Sequence, residues 1–294
     1  MSKNPYMSED NTVISFSGGR TSGFMLYKVL EAYDFKLPEN IKVLFANTGK
    51  EMPETLDFVQ RCSDEWGVEI IWLERRSRRS TEEEKNKYVY TTMVVDYESA
   101  SRDGEPFLEL IKTKRYAPNP VARFCTVDLK IRAISEYLRD VCGWEGRYTG
   151  LIGIRADEVR RAAKMHGTVE SNQERYLPLF LEGITKDDIC AFWESSSFDL
   201  QLPNNRGVTD WGNCDLCFLK GLSKKLSIIR ERPELADWWI RAEKKLSELS
   251  EDVGQGAYFR TGQPSYEQMK IIATDQQSFD FFGDDETIPC FCGE

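Results

Sequence analysis

The sequence is nearly without histidine and has no long apolar run, and each absence narrows its chemistry. Its one histidine, His166, sits in a polar segment and reads as a surface residue. No side chain stands out as a general acid or base. A stretch of about 18 or more apolar residues is missing, which argues against a membrane-spanning helix. Met1–Thr12 is polar and lacks an apolar signal core. The expectation is a cytoplasmic protein. An excess of positive charge is absent too, since 39 Lys and Arg stand against 49 Asp and Glu, a net charge of −10. The surface as a whole therefore does not attract polyanions. Nucleic-acid contact would need a local patch, such as Arg75–Arg76 with Arg78–Arg79 or Lys112, Lys114 and Arg115. Such runs ordinarily form solvated loops. There is no internal repeat.

What is present suits a large α/β domain, alone or with an appended unit: 294 residues, 40% hydrophobic. Apolar runs begin at positions 13, 41 and 68. Between them, Thr21–Leu30 reads as a helix with Phe24, Leu26, Tyr27 and Leu30 inward. A second helix runs from Pro53 to Trp66, with Pro53 suited to its first position and Gly67 to its stop. Strand, helix, strand at this spacing predicts right-handed βαβ units in a doubly wound, mostly parallel sheet with helices on both faces. Residues 74–120 break the rhythm. They read as an insertion or lid, with a helix near Phe107–Lys112. The pattern returns with a helix over Thr126–Val141, a strand over Arg147–Ile152, and a helix over Thr185–Phe192 capped by Thr185. Beyond Lys220 the chain reads as helical to Leu249.

The first strand ends in Ser17-Gly18-Gly19-Arg20-Thr21-Ser22. A glycine turn between a strand and a helix suits an anion, because its N–H groups and the helix N-terminus point at one spot. The spacing is not that of the GxxxxGK[ST] loop, and the lysine is missing. The loop therefore suits a ligand that carries a phosphate.

Eight cysteines are present. Disulfides are not expected in a reducing compartment. Cys62, Cys142 and Cys190 lie among apolar residues and read as packing. Cys214 and Cys217 form a CxxC in a loop before a helix, suited to a metal or to dithiol redox chemistry. Cys125 stands at a helix start, where the dipole favours a thiolate. Cys290 and Cys292 close the chain.

The glycine loop resembles the SGGxDS loop of the PP-loop adenine-nucleotide α-hydrolase superfamily, and more closely the phosphoadenosine-phosphosulfate reductase family, which implies ATP or a related adenine nucleotide as its ligand. Phe45-Ala46-Asn47-Thr48-Gly49 with Pro53-Glu54-Thr55 is similar to that family's DTG…PET segment, which implies that Asn47, Thr48, Gly49 and Glu54 contact the nucleotide. Gly153-Ile154-Arg155-Ala156-Asp157-Glu158 with Arg160 and Arg161 resembles GxRxxE…R, which implies that Gly153, Arg155, Glu158 and Arg161 serve a phosphate or sulfate. Leu177-Pro178-Leu179 before Thr185-Lys186-Asp187-Asp188-Ile189 is a fourth match. Thr21 and Asn47 replace family aspartates, which bears on Mg handling. The resemblance places a nucleotide-binding α/β domain at 1–222, with a helical C-terminal extension and cysteine tail at 223–294.

Cys125, Cys214 and Cys217 together resemble the cysteine set of PP-loop tRNA thiolation enzymes and DNA phosphorothioation enzymes, which implies a [4Fe–4S] cluster. Ligation by these three thiolates alone would leave one iron site open for sulfide or substrate, whereas Cys290 or Cys292 as a fourth ligand would close it. Zinc and free or redox thiols are the alternatives. The expected activity is adenylation of a substrate followed by sulfur transfer, with Arg155 stabilising charge. One alternative is sulfonucleotide reduction with Cys292 as nucleophile, and another is a nucleotide-binding module without turnover. A sulfur donor or reductant protein, a nucleic-acid substrate and oligomerisation are all compatible.

Overall fold

The computed structural model describes residues 4–81, 87–165, 172–205, 207–249 and 258–275. His166, Cys290 and Cys292 lie outside the described residues, so the expectations placed on them meet no geometry.

Among the described residues, six strands form one sheet in the order β4-β3-β2-β1-β5-β6. The strands are β1 (Thr12–Ser15), β2 (Ile41–Ala46), β3 (Ile70–Arg79), β4 (Tyr88–Val95), β5 (Tyr148–Leu151) and β6 (Gln173–Tyr176). All neighbours are parallel except β3 and β4, which are antiparallel. The central strand β1 pairs with β2 on one side and β5 on the other. The strand order therefore reverses at the end of β1, the place where open α/β sheets take ligands.

Strand alternation sorts the apolar residues onto two faces. Ile14, Val43, Phe45, Ile70 and Trp72 join one cluster with residues of α1 (Arg20–Ala32), α2 (Pro53–Trp66) and α7 (Lys186–Ser195). Val13, Leu44, Ile71 and Leu73 join the other with Ala133, Tyr137 and Leu138 of α4 (Arg132–Asp140). Helices thus cover both faces, as the doubly wound pattern predicts. Gly67 ends α2 at φ +61°. The helix expected over Thr126–Val141 splits into a π-helical segment, Thr126–Ile131, and α4.

The segment 74–120 departs from a solvated insertion. β3 runs on to Arg79, β4 closes the sheet's edge against it, and α3 (Glu105–Lys114) packs beside β3. None of its described residues lines the cavity at the glycine loop. The charged run becomes a strand because its charges are paired. Arg75 is buried, its Nη2 2.6 Å from Glu136 and its Nη1 3.2 Å from Asp128, and its guanidinium lies over the Tyr90 ring. Arg76 pairs with Glu109.

The chain continues through α5 (Val159–Met165) and α6 (Pro178–Leu181) into α7, then α8 (Leu222–Glu231), α9 (Leu235–Leu249) and α10 (Tyr266–Thr274). Residues of the last three helices share the main core with the sheet. Phe107 of α3 meets Trp238 and Trp239 edge to face, and Trp239 stacks on Tyr266. Such pairs add to the burial of large rings. Among the described residues no helix is long and apolar enough to cross a membrane.

Candidate functional site

After β1 the chain turns at Gly18, where φ is +78° and a Cβ would stand 2.6 Å from Thr55 Cγ2. Only glycine fits there. Gly19 is the N-cap of α1. Ser22, fully buried, builds the loop from inside. Its hydroxyl accepts from Ser17 Oγ at 2.9 Å and from the Gly19 N–H at 3.2 Å, and donates to the Gly19 carbonyl at 2.9 Å. Gly153, at the end of β5, closes on the same turn, since a Cβ there would stand 3.3 Å from Ser22 Cα.

The loop forms the floor of a cavity of about 260 Å³. The β5–α5 segment supplies one wall. Glu158 organises that wall by accepting from the Arg155 N–H at 3.0 Å and from Arg161 Nη1 at 2.8 Å. Arg155 also pairs with Asp157 and donates to Thr21 Oγ1 at 3.3 Å. Thr21, at the position of a family aspartate, thus meets an arginine directly. The structure brings Ser17 to Ser22, Arg155, Glu158 and Arg161 together around this space. Arg20 lines it too, but its Nε and Nη2 are held by Asp199 at 2.7 Å each, and Nη2 also reaches the Leu200 carbonyl. Its guanidinium anchors the 199–200 segment to the loop.

Asn47, Thr48, Gly49 and Glu54 do not line the cavity. Asn47 is buried and donates to Glu74 Oε1 at 2.6 Å and to the Ser101 carbonyl at 2.8 Å. An aspartate here would set one carboxylate against another, which gives the asparagine a physical reason. Thr48 Oγ1 lies 3.6 Å from Cys214 Sγ, and its N–H donates to Glu51. Glu51 forms an antiparallel bridge with Cys214, and Lys50 pairs with Asp215 at 2.8 Å. The 47–51 segment therefore braces the CxxC loop. Glu54 pairs with Arg232 of the α8–α9 connection.

Cys125, Cys214 and Cys217 line one small cavity with Thr48, Lys130 and Asn213. Burial and the neighbouring Cys217 push the Cys125 thiol up to about 12, so desolvation outweighs the helix-start effect expected there. Burial likewise raises Cys214, with Glu51 adding to it, and raises Cys217. Among the described residues no three His, Cys, Asp or Glu side chains converge as one metal ion would require. Cys62 is fully buried in α2, and Cys142 and Cys190 are half-buried, in keeping with packing roles.

The second wall of the glycine-loop cavity comes from residues 207–224, which sequence reasoning missed. Lys220 and Lys224 stand there, and Asn213 lines this cavity and the cysteine cavity alike. The one available signal was position: Lys220 follows the CxxC by three residues, and Lys224 stands in the first turn of the helix after it.

The phosphoadenosine phosphosulfate reductase domain family matches residues 11–192. The chain is 32% identical over 212 residues to the uncharacterized nin region protein ORF290 of Escherichia phage lambda, covering 72% of this chain and 67% of the phage protein. It is 26% identical over 262 residues to the uncharacterized protein MJ0066 of Methanocaldococcus jannaschii, covering 86% of this chain and 46% of that relative, so it spans less than half of the latter's length. Among solved structures it is similar to the U34-tRNA thiolase NcsA from Methanococcus maripaludis with its [4Fe-4S] cluster. That likeness has 17% identity and a TM-score of 0.38, over 97% of this chain and 82% of NcsA.

Proposed function

Because the chain belongs to the phosphoadenosine phosphosulfate reductase domain family, we propose that it is a PP-loop enzyme that adenylates a substrate with ATP and then transfers sulfur to it. The observation that carries this reading is Asn213. One residue before Cys214, it lines both the glycine-loop cavity and the cysteine cavity. A nucleotide on the loop and a sulfur at the cysteines would face each other across a single residue.

ATP sits on Gly18, Gly19 and the α1 N-terminus, with Arg155 and Arg161 against its phosphates. A substrate oxygen attacks the α-phosphorus, the bond to the bridging oxygen breaks, and pyrophosphate leaves. A sulfur nucleophile then attacks the activated carbon and displaces AMP. Arginines and loop amides fixed in place stabilise the charge that develops. Among the described residues, the carboxylates lining the cavity are Glu158 and Asp210, and both are held in ion pairs. Mg²⁺ would therefore ride mainly on phosphate oxygens and water.

The donor set of Cys125, Cys214 and Cys217 fits an iron–sulfur cluster better than one zinc, because each iron takes its own thiolate and the sulfurs need not converge on one ion. The enclosed space is about 20 Å³, room for one water. Loading a cluster therefore requires the lining to open. A bound cluster would supply an iron to carry sulfide.

The test is anaerobic purification with a visible spectrum and iron, sulfide and zinc analysis, then pyrophosphate release from ATP. A brown protein with roughly four irons and four sulfides is expected, with both lost in Cys214→Ser and Cys217→Ser. A colourless, metal-free protein that reduces adenosine phosphosulfate through Cys292 would replace this reading with sulfonucleotide reduction. Nucleotide binding without any pyrophosphate release would make the chain a binding module.

A further inference from the structure

Cys214 and Cys217 line the cysteine cavity, while the two residues between them, Asp215 and Leu216, are tied into the body of the protein. The buried Asp215 carboxylate takes three donors. Its Oδ1 accepts from the Leu216 N–H at 2.6 Å and from Trp239 Nε1 of α9 at 2.7 Å. Its Oδ2 lies 2.8 Å from Lys50 Nζ, an ammonium that is buried too and stands 4.7 Å from the centre of the Trp238 ring. The Leu216 carbonyl accepts from the Tyr266 hydroxyl of α10 at 2.6 Å. The rings of Trp239 and Tyr266 stack with centroids 5.0 Å apart, which fixes both donors. Backbone bonds complete the clamp. The Asp215 N–H donates to the Lys50 carbonyl at 2.8 Å, and the Cys217 N–H to the Cys214 carbonyl at 3.3 Å.

Burying an aspartate with a lysine is costly, and apolar residues of similar volume often serve stability as well or better. Stability alone therefore does not account for the pair, but direction does. With residues 215 and 216 held inward, the thiols on either side of them turn to the space where Cys125 stands. A site built from side chains needs its ligands held to about 0.5 Å by groups that do not themselves bind. We propose that Asp215, Lys50, Trp239 and Tyr266 are the positioning residues of the cysteine site. This deepens the sulfur-transfer reading above and rests on its assignment of Cys214 and Cys217. The two oxygens of Asp215 divide the work: Oδ1 joins the loop to α9, and Oδ2 joins it to the turn after β2. Shape and hydrogen bonding, rather than charge, carry the effect, so a neutral pair of the same form serves as well. Helices α9 and α10 lie beyond residue 192, where the family match ends, and they act here as part of the site.

The test is cadmium titration of the full-length chain, with Cys290 and Cys292 replaced by serine so that the tail thiols do not compete. Cadmium is a soft ion whose thiolate bonds absorb in the ultraviolet, and its binding needs no cluster assembly. The parent should show a site that Cys214→Ser removes. Trp239→Phe combined with Tyr266→Phe keeps two rings and deletes both side-chain hydrogen bonds to the loop. Urea denaturation should show this variant folded at the start of the titration. Its cadmium affinity should fall roughly 10-fold, as loss of a hydrogen bond to a charged group implies, and its iron content after anaerobic loading should fall with it. Lys50→Gln combined with Asp215→Asn removes the charges and keeps the tether. The amide at position 215 retains an oxygen for Trp239 and Leu216 and donates to the amide at position 50, so cadmium should bind nearly as in the parent. Parent-like affinity in the Trp239 and Tyr266 variant would overturn the proposal, as would loss of the site in the neutral pair or cadmium uptake by the parent that ignores Cys214. If the unaltered protein holds no iron, yet the parent binds cadmium through Cys214 and Cys217 with the same dependence on Trp239 and Tyr266, the positioning stands and the cluster reading fails.

Discussion

Replacing Asn47 with the aspartate of the family motif should damage this protein. Asn47 Nδ2 lies 2.6 Å from Glu74 Oε1, and both residues are almost wholly buried. Glu74 also accepts from the Ser101 N–H and hydroxyl, so its position is fixed. Asn47→Asp exchanges a donor for a second carboxylate. Two charges at about 4 Å with an effective dielectric near 20 repel by about 4 kcal/mol, and the lost bond to a charged acceptor is worth about 1.5–3 kcal/mol. Uptake of one proton by the pair caps the sum, so a loss of about 4 kcal/mol at pH 8 is expected. That is a large share of the ordinary stability of about 5–15 kcal/mol. The shared carboxyl pair has a raised pKa in the folded state, so the folded variant binds the extra proton. The deficit is therefore greatest at high pH and shrinks as pH falls toward 5. Urea denaturation of the parent, Asn47→Asp, and Asn47→Asp with Glu74→Gln, each at pH 5 and pH 8, measures this. The double variant should regain part of the loss, because an amide at position 74 can donate to the carboxylate introduced at position 47. A single variant as stable as the parent at pH 8, or a deficit independent of pH, would refute the reasoning.

Two further outcomes follow from the same kind of argument. Gly18→Ala should cost about 1–3 kcal/mol of stability and weaken ATP binding, because φ is +78° and the added methyl meets Thr55 and Val59; thermal melts and nucleotide titration read both effects. Burial pushes Glu243 up to about 7, although the Tyr266 N–H and Lys225 favour its charged form. Its folded pKa exceeds the ordinary 4.5, so the native state holds the proton longer, and stability should fall by about 1–3 kcal/mol as pH rises from 5 to 8. Glu243→Gln should flatten that slope, and an unchanged slope would assign the pH dependence to other groups.

Much of the fold is legible in local pattern. The strand starts, the Pro53–Trp66 helix with its Gly67 stop and the Thr185 cap rest on propensity, periodicity and capping, which act within a few residues. The 74–79 run is not legible, because isolated charges look solvated. Only the partners at Glu109, Asp128 and Glu136, 33 to 61 residues away, make it a strand with a buried arginine. Strand β6 and helix α10 were missed for a similar reason. The polar Gln173–Tyr176 segment is a strand because β5 offers it an edge, and α10 packs its buried Tyr266, Met269 and Ala273 beside α8 and α9.

By itself the sequence determined the phosphate loop, since a strand, a glycine turn that only glycine can make, and a helix start are contiguous in the chain. It also determined the arginine segment and the identity of the thiols. Tertiary structure alone decided what these face. It turned Arg20 toward Asp199, tied Asn47 to Glu74, and set the 47–51 segment against the CxxC loop rather than in the cavity. It brought Lys220 and Lys224 opposite Arg155 and Arg161, and left Asn213 between the two cavities. These are contacts between segments tens to nearly two hundred residues apart, fixed by the strand order around β1 and by a core shared with α8 to α10, and no local pattern of residues encodes them.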